Sequence, residues 1–300
     1  MNTTYLLILI LGAVATTALF AIRLKKEQIG AGVAFLTTLL GAVLGFLCAK
    51  VICYALTNSD FGAENQMSFF GGCAGVVLAV FLIAKITKND VSALMDAFAP
   101  AGALMVYFAR VGEYFLDEVG IRSDIETAAL KHFPFAVQNE WEEWNLAVFF
   151  LEALIALIVC VVFLVRKKEN AVAGLRMERV LFYLCLPQVF CESLRSDSLM
   201  LSIVHILSFV RAEQLLCAVV FTGLLVRACR KSGRKGFWPA YWPVAVDVLC
   251  IAVMIGVEFA LDGKLGEIPL AASYGVMILA LLVLAGCEIH LSRRRIRNAS

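Results

Sequence analysis

Runs of about twenty apolar residues, separated by short loops of which every second one is basic, constrain this chain more than any other feature of it. A run of that length matches the roughly 30 Å hydrocarbon layer of a bilayer. It has to be helical there, because lipid offers no partner to a backbone N–H or C=O. Nine such runs are expected, at about 5–22, 29–56, 68–86, 91–108, 145–165, 180–194, 212–226, 242–261 and 271–291. The sixth is interrupted by Pro187, and a short interfacial helix is expected over 199–209. Arg23, Lys25 and Lys26 follow the first run, Lys88 the third, and Arg166, Lys167, Lys168, Arg176 and Arg179 the fifth. Arg227, Arg230, Lys231, Arg234 and Lys235 follow the seventh, and Arg293, Arg294, Arg295 and Arg297 close the chain. The long polar stretch 111–144 instead holds eight carboxylates against Arg122 and Lys131. Basic loops stay in the cytoplasm, so the N-terminus is expected outside and the C-terminus inside.

The expected fold class is therefore all-α, a polytopic integral membrane protein of about nine transmembrane helices. With 61% hydrophobic residues and a mean hydropathy of +0.86, a soluble domain of this length is excluded. Residues 1–235 read as a seven-span core and 236–300 as an additional two-span hairpin with a basic tail. Ten cysteines are scattered singly, nearly all in apolar runs, with no CxxC pair, and there are three histidines. The cysteines read as small core side chains. No metal, no cofactor and no nucleic-acid partner is expected.

Chemistry is sought among ionisable groups at membrane depth, which are costly and serve function by default. Arg110 ends the fourth run, with Gly112 and Glu113 just beyond it, and Arg195 ends the sixth. Both fall on the outer side in the topology above. Two guanidiniums at one depth suit the phosphate of a lipid headgroup, whose oxygens match their planar fork of donors. Glu192 lies one helical turn before Arg195 and is positioned to pair with an arginine or accept a proton. The plainer reading is a helix-internal ion pair with no ligand. Glu152 sits about two turns into the fifth run. Gly71, Gly72 and Gly75 open the third run, where small residues allow close helix approach or leave room for a lipid. Asp96, early in the fourth run, reads as structural through the helix dipole.

These residues fall into ordered segments. Ser68-Phe69-Phe70-Gly71-Gly72, Asp96-Ala97-Phe98-Ala99-Pro100 and Arg110-Val111-Gly112 come first, then Leu151-Glu152, Glu192-Ser193-Leu194-Arg195 and Gln214-Leu215-Leu216. Together they resemble the prolipoprotein diacylglyceryl transferase family over about 29–231. The resemblance implies a seven-span fold in the bacterial inner membrane. It also implies transfer of a diacylglyceryl group from phosphatidylglycerol to the lipobox cysteine thiol of a prelipoprotein. Arg110, Arg195, Glu113 and Glu192 would then be catalytic, and Gly71, Gly72, Arg110, Gly112, Glu152 and Arg195 would hold lipid. The partners implied are phosphatidylglycerol or another anionic lipid and a prelipoprotein signal peptide. The sequence departs from the pattern at Phe70 (family histidine), Glu113 (asparagine) and Gln188 (arginine). Glu113, Glu118 and His205 are the groups that could replace the lost imidazole as base.

Two other readings fit the residues. The first is a non-catalytic paralogue that binds anionic lipid or a lipoprotein signal segment. The second is a transporter built on Lys50, Glu152 and Glu258, although neither a repeated half nor paired broken helices are visible.

Overall fold

The computed structural model describes residues 2–57, 67–116, 120–122, 125, 128–138, 142–166, 172–200, 211–232, 237–261 and 268–299. Nine long helices occur among them: α1 (Thr3–Lys26), α2 (Gly32–Thr57), α3 (Phe69–Ile86), α4 (Val91–Gly112), α5 (Val148–Val165), α6 (Leu175–Leu194), α7 (Ala212–Lys231), α8 (Phe237–Leu261) and α9 (Leu270–Ala299). Eight are long and apolar enough to cross a membrane. The remaining one, α6, carries Arg176, Arg179 and Glu192, all of them buried, and the partly buried Glu178. The chain is an all-α, multi-pass membrane protein.

Helix starts follow from short polar side chains that accept the N–H groups a first turn leaves over. Asn2 caps α1 through the N–H of Thr4 at 2.9 Å, Ser68 caps α3 through Gly71 at 2.9 Å, and Asp90 caps α4 through Ala93 at 2.7 Å. The start of α6 is capped from another helix. Asp96 of α4 accepts from the N–H groups of Gly174 at 2.7 Å and Met177 at 2.8 Å. Its carboxylate thus has the structural part expected of it, for the neighbouring helix rather than its own.

Several helices outrun their apolar stretches. α4 continues to Gly112 and is followed by a 3-10 turn, Glu113–Phe115, so Arg110 stands inside the last helical turn. α5 begins at Val148, which puts Glu152 about one turn from its start, not two. α6 begins at Leu175 and runs unbroken through Pro187, so the expected interruption there is absent. The polar stretch after α4 also holds a small antiparallel sheet, unforeseen in the sequence. Its strands are β1 (Ile121–Arg122), β2 (Ala136–Gln138) and β3 (Trp144–Ala147), in the order β1-β3-β2. Most of the helix expected over 199–209 lies outside the described residues, as do Glu118 and His205.

Two apolar cores meet at α6. One gathers Phe20, Leu24, Val80, Leu94, Phe98 and Phe163 from α1 to α5, with Met177 and Val180 of α6. The other gathers Phe182, Leu186, Phe221, Met254, Met277 and Leu284 from α6 to α9. The C-terminal hairpin α8–α9 therefore packs onto α6 and α7. The arrangement leaves α6 buried between two sets of helices, with a polar group at either end that its neighbours must satisfy.

Candidate active site

The ends of α4 and α6 and the start of α5 converge on one buried cluster of charges. Arg110, on the last turn of α4, donates to Glu113 Oε1 at 2.6 Å, the i,i+3 spacing that places both on one face. Its Nε lies 3.1 Å from Glu152 Oε2 on α5, within ion-pair distance but not aligned as a hydrogen bond. Arg195, the residue that closes α6, reaches the same two carboxylates: its Nη1 is 2.9 Å from Glu152 Oε2 and 3.3 Å from Glu113 Oε2. Its other face is gripped by Asp197, Nε to Oδ1 at 3.0 Å and Nη2 to Oδ2 at 2.7 Å. Gln188 then links Glu152 (2.7 Å) to Glu192 (2.9 Å), and Ser198 donates to Glu192 Oε2 at 2.8 Å.

The two arginines therefore meet, 85 residues apart in the chain, with Glu113 and Glu152 between them. Arg110 is 1% exposed and Arg195 8%, so water screens neither. A buried charge is tolerable only when paired and hydrogen-bonded. Arg195 meets that condition, whereas Arg110 Nη2 is buried with no hydrogen-bond partner among the described residues. The Phe69 ring lies 3.7 Å from Arg110 Cζ and offers its π-face to the guanidinium. An anionic oxygen is what would complete Arg110.

A sequence profile described as prolipoprotein diacylglyceryl transferase matches residues 3–229, and every residue of this cluster lies within that match. The chain belongs to the prolipoprotein diacylglyceryl transferase family. Among curated relatives, the phosphatidylglycerol–prolipoprotein diacylglyceryl transferase of Clostridium novyi is 27% identical over 169 residues, 52% of this chain and 65% of that protein. The enzyme of the same name from Tropheryma whipplei is 32% identical over 108 residues, 35% of this chain and 39% of its own length. That of Clostridium botulinum is 23% identical over 195 residues, 63% of this chain and 76% of its own. The chain thus spans slightly under two thirds, or less, of the first two relatives.

The transferase-family segments come together unequally. Arg110, Glu113, Glu152, Glu192 and Arg195 form one network. The glycines lie where helices meet. A Cβ on Gly71 would lie 2.6 Å from the Cys48 carbonyl oxygen of α2, and one on Gly112 would lie 2.7 Å from the Tyr5 ring of α1. Both positions let helices approach closely, and Gly72 makes ordinary contact with Ala49. Phe70, at the position of the family histidine, packs partly buried against the α6–α9 core. Its backbone N–H is held by Glu213 Oε2 at 3.0 Å, while Glu213 Oε1 accepts from Ser68 Oγ at 2.5 Å.

Sequence reasoning missed Glu213, Asp197 and Ser198. A carboxylate in the first turn of a span, directly before Gln214, was the available signal for Glu213. Glu258, considered for transport, instead accepts from Gln214 Nε2 at 2.8 Å and from Ser193 Oγ. It ties α8 to α6 and α7 immediately behind Glu192. Arg122 of β1 donates to the Tyr274 hydroxyl of α9, and Gly120 N–H reaches Asp197 at 3.2 Å, so the polar segment after α4 is fastened over this end.

Proposed function

We propose that the chain transfers the diacylglyceryl group of phosphatidylglycerol to the lipobox cysteine thiol of a prelipoprotein, on the outer side of the bacterial inner membrane. The observation that carries the reading is the meeting of Arg110 and Arg195 on shared carboxylates, with an unpartnered donor left on Arg110. In this reading the two guanidiniums take the lipid phosphate and stabilise the negative charge that grows as the glycerol C–O bond breaks. The thiol sulfur forms a thioether with that carbon, glycerol phosphate leaves with the bond's electrons, and the thiol proton passes to a base. Glu113, which like Glu152 contacts both arginines, is that base in this reading. Gln188, itself held by Glu192, holds Glu152 and steadies the arginine pair from behind. All nine helices would span, with the N-terminus outside, as the alternating basic loops require.

The test uses the purified protein in phosphatidylglycerol nanodiscs with a synthetic lipobox peptide. The expected result is a peptide heavier by one diacylglyceryl group, with release of one glycerol phosphate. A peptide unchanged under conditions where the Clostridium novyi relative modifies it would overturn the transferase reading.

A second reading, a lipid-binding paralogue without turnover, is favoured by Phe70, whose ring packs in apolar surroundings and cannot take a proton. It expects phosphatidylglycerol to raise the thermal stability of wild type but not of Arg110→Gln, with the peptide unmodified in both.

A further inference from the structure

The opposite end of α6 carries a second charge cluster that the transferase reading leaves unused. Glu178 lies 14 residues before Glu192, about 21 Å along the helix. Three cations converge on its carboxylate. Arg227 Nε stands at 2.6 Å and Lys231 Nζ at 3.4 Å, both on α7, and Arg295 Nη1 of α9 donates to Oε2. One negative charge thus faces three positive ones among these groups. Arg295 is 4% exposed, and its Nη2 is buried without a hydrogen-bond partner among the described residues. A cavity of about 300 Å³ opens there, lined by Val172, Lys231, Arg295, Asn298 and Ala299. Of the cavity's lining, Lys231, Arg295, Asn298 and Ala299 lie beyond the family match, while Val172 lies within it.

We infer that this cavity is a second anion site, built to take a phosphate group between Arg295 and Lys231 at the basic end of the bundle. Arg295, fixed on Glu178 through Nη1, lines the cavity, and a guanidinium held in one orientation favours phosphate oxygens. Lys231, 42% exposed on its side chain, supplies a mobile second charge at the mouth. The volume exceeds what a single water needs by more than tenfold and admits a phosphate with its substituent. Two sources share this chemistry, the headgroup of an anionic phospholipid and a soluble phosphate. α9 ends at the cavity, so an occupant would bridge α7 and α9 and brace the hairpin against the core.

The experiment uses the full-length protein and separates the two ends of the bundle by mutation. In dioleoylphosphatidylcholine nanodiscs, inorganic phosphate is titrated while the melting temperature is followed. In dioleoylphosphatidylglycerol nanodiscs, tightly bound lipids are counted by native mass spectrometry. A free-phosphate site raises the wild-type melting temperature by a few degrees at tenfold excess over Kd. Arg295→Gln loses that rise and Arg110→Gln keeps it. A lipid site shows as one fewer bound phosphatidylglycerol in Arg295→Gln than in wild type, with the count in Arg110→Gln falling independently. Lys231→Gln, a half-exposed position whose change leaves Glu178 two partners, repeats either loss in weaker form and guards against misfolding of the Arg295 variant. Both effects unchanged in Arg295→Gln and Lys231→Gln would overturn the second site, whatever becomes of the transfer reaction.

Discussion

The two ends of α6 handle buried charge in opposite ways. At its C-terminal end, Arg110 and Arg195 face Glu113, Glu152 and Asp197, so carboxylates outnumber guanidiniums and every nitrogen of Arg195 is matched. At its N-terminal end, one carboxylate, Glu178, gathers three cations, two of them largely exposed. The first arrangement is dry, and it fixes the relative positions of α4, α5 and α6. The second keeps Arg295 buried but leaves Arg227 and Lys231 exposed. The difference teaches that the sign and wetness of a cluster, more than its number of ion pairs, decide whether it acts as a rigid scaffold or a landing place. Exposed pairs contribute about 0–1 kcal/mol, whereas removing one partner of a buried pair costs about 3–5 kcal/mol.

The largest effect is expected where the dry cluster is cut. Arg110→Gln leaves Glu113 and Glu152 with one guanidinium between them. Denaturation in detergent should show a loss of about 3–5 kcal/mol, and peptide modification should fall to background. Arg110→Gln combined with Glu152→Gln should recover much of the stability, because the stranded charge is gone, and none of the transfer. Recovery of both would mean that Arg110 merely balances charge. Glu113→Gln is a sharper probe, because it keeps the shape of the side chain. If Glu113 takes the thiol proton, turnover should drop about 10²–10⁴-fold with phosphatidylglycerol binding retained. Unchanged turnover would move the base elsewhere.

A middle-sized effect belongs to the cap that carries α4's position to α6. Asp96→Ala removes the acceptor for Gly174 and Met177 and should cost about 1–2 kcal/mol. Because the cap lies at the basic end, Asp96→Ala should leave the KM for phosphatidylglycerol unchanged, which separates the two ends by kinetics. A raised KM would show that the ends communicate along α6.

What could be read in the sequence follows the same division. The helices were legible, since apolar runs of bilayer length leave the backbone no other choice. Their ends were not. α4 overruns its apolar stretch to Gly112 because Arg110 finds Glu113 and Glu152, and a paired charge no longer needs to leave the helix. Pro187 failed to break α6 for a similar reason, since the helix is enclosed on both sides by packed neighbours. The arginine pair could be anticipated from depth alone. Its carboxylates could be named singly but not their pairing, which depends on how α5 enters after β3. Glu213 could be noticed as an early-turn carboxylate, but not its pairing, because its partner Ser68 lies 145 residues away. The sheet was lost because strands of two to four residues leave no alternation to detect.

The smallest effect is expected at the wet end. Arg227 is 56% exposed on its side chain, and its ion pair with Glu178 at 2.6 Å is short. Short distance and high exposure pull in opposite directions. Solvent screening should win, because the charges stay hydrated whether or not they touch. Arg227→Gln should therefore change stability by about 0.5 kcal/mol or less, read as a shift of no more than a degree or two in melting temperature. Glu178 keeps Lys231 and Arg295, so its carboxylate is not stranded. A loss several times larger would mean that the cluster at this end is as dry as the one around Arg110. The contrast between the two ends of α6 would then fail.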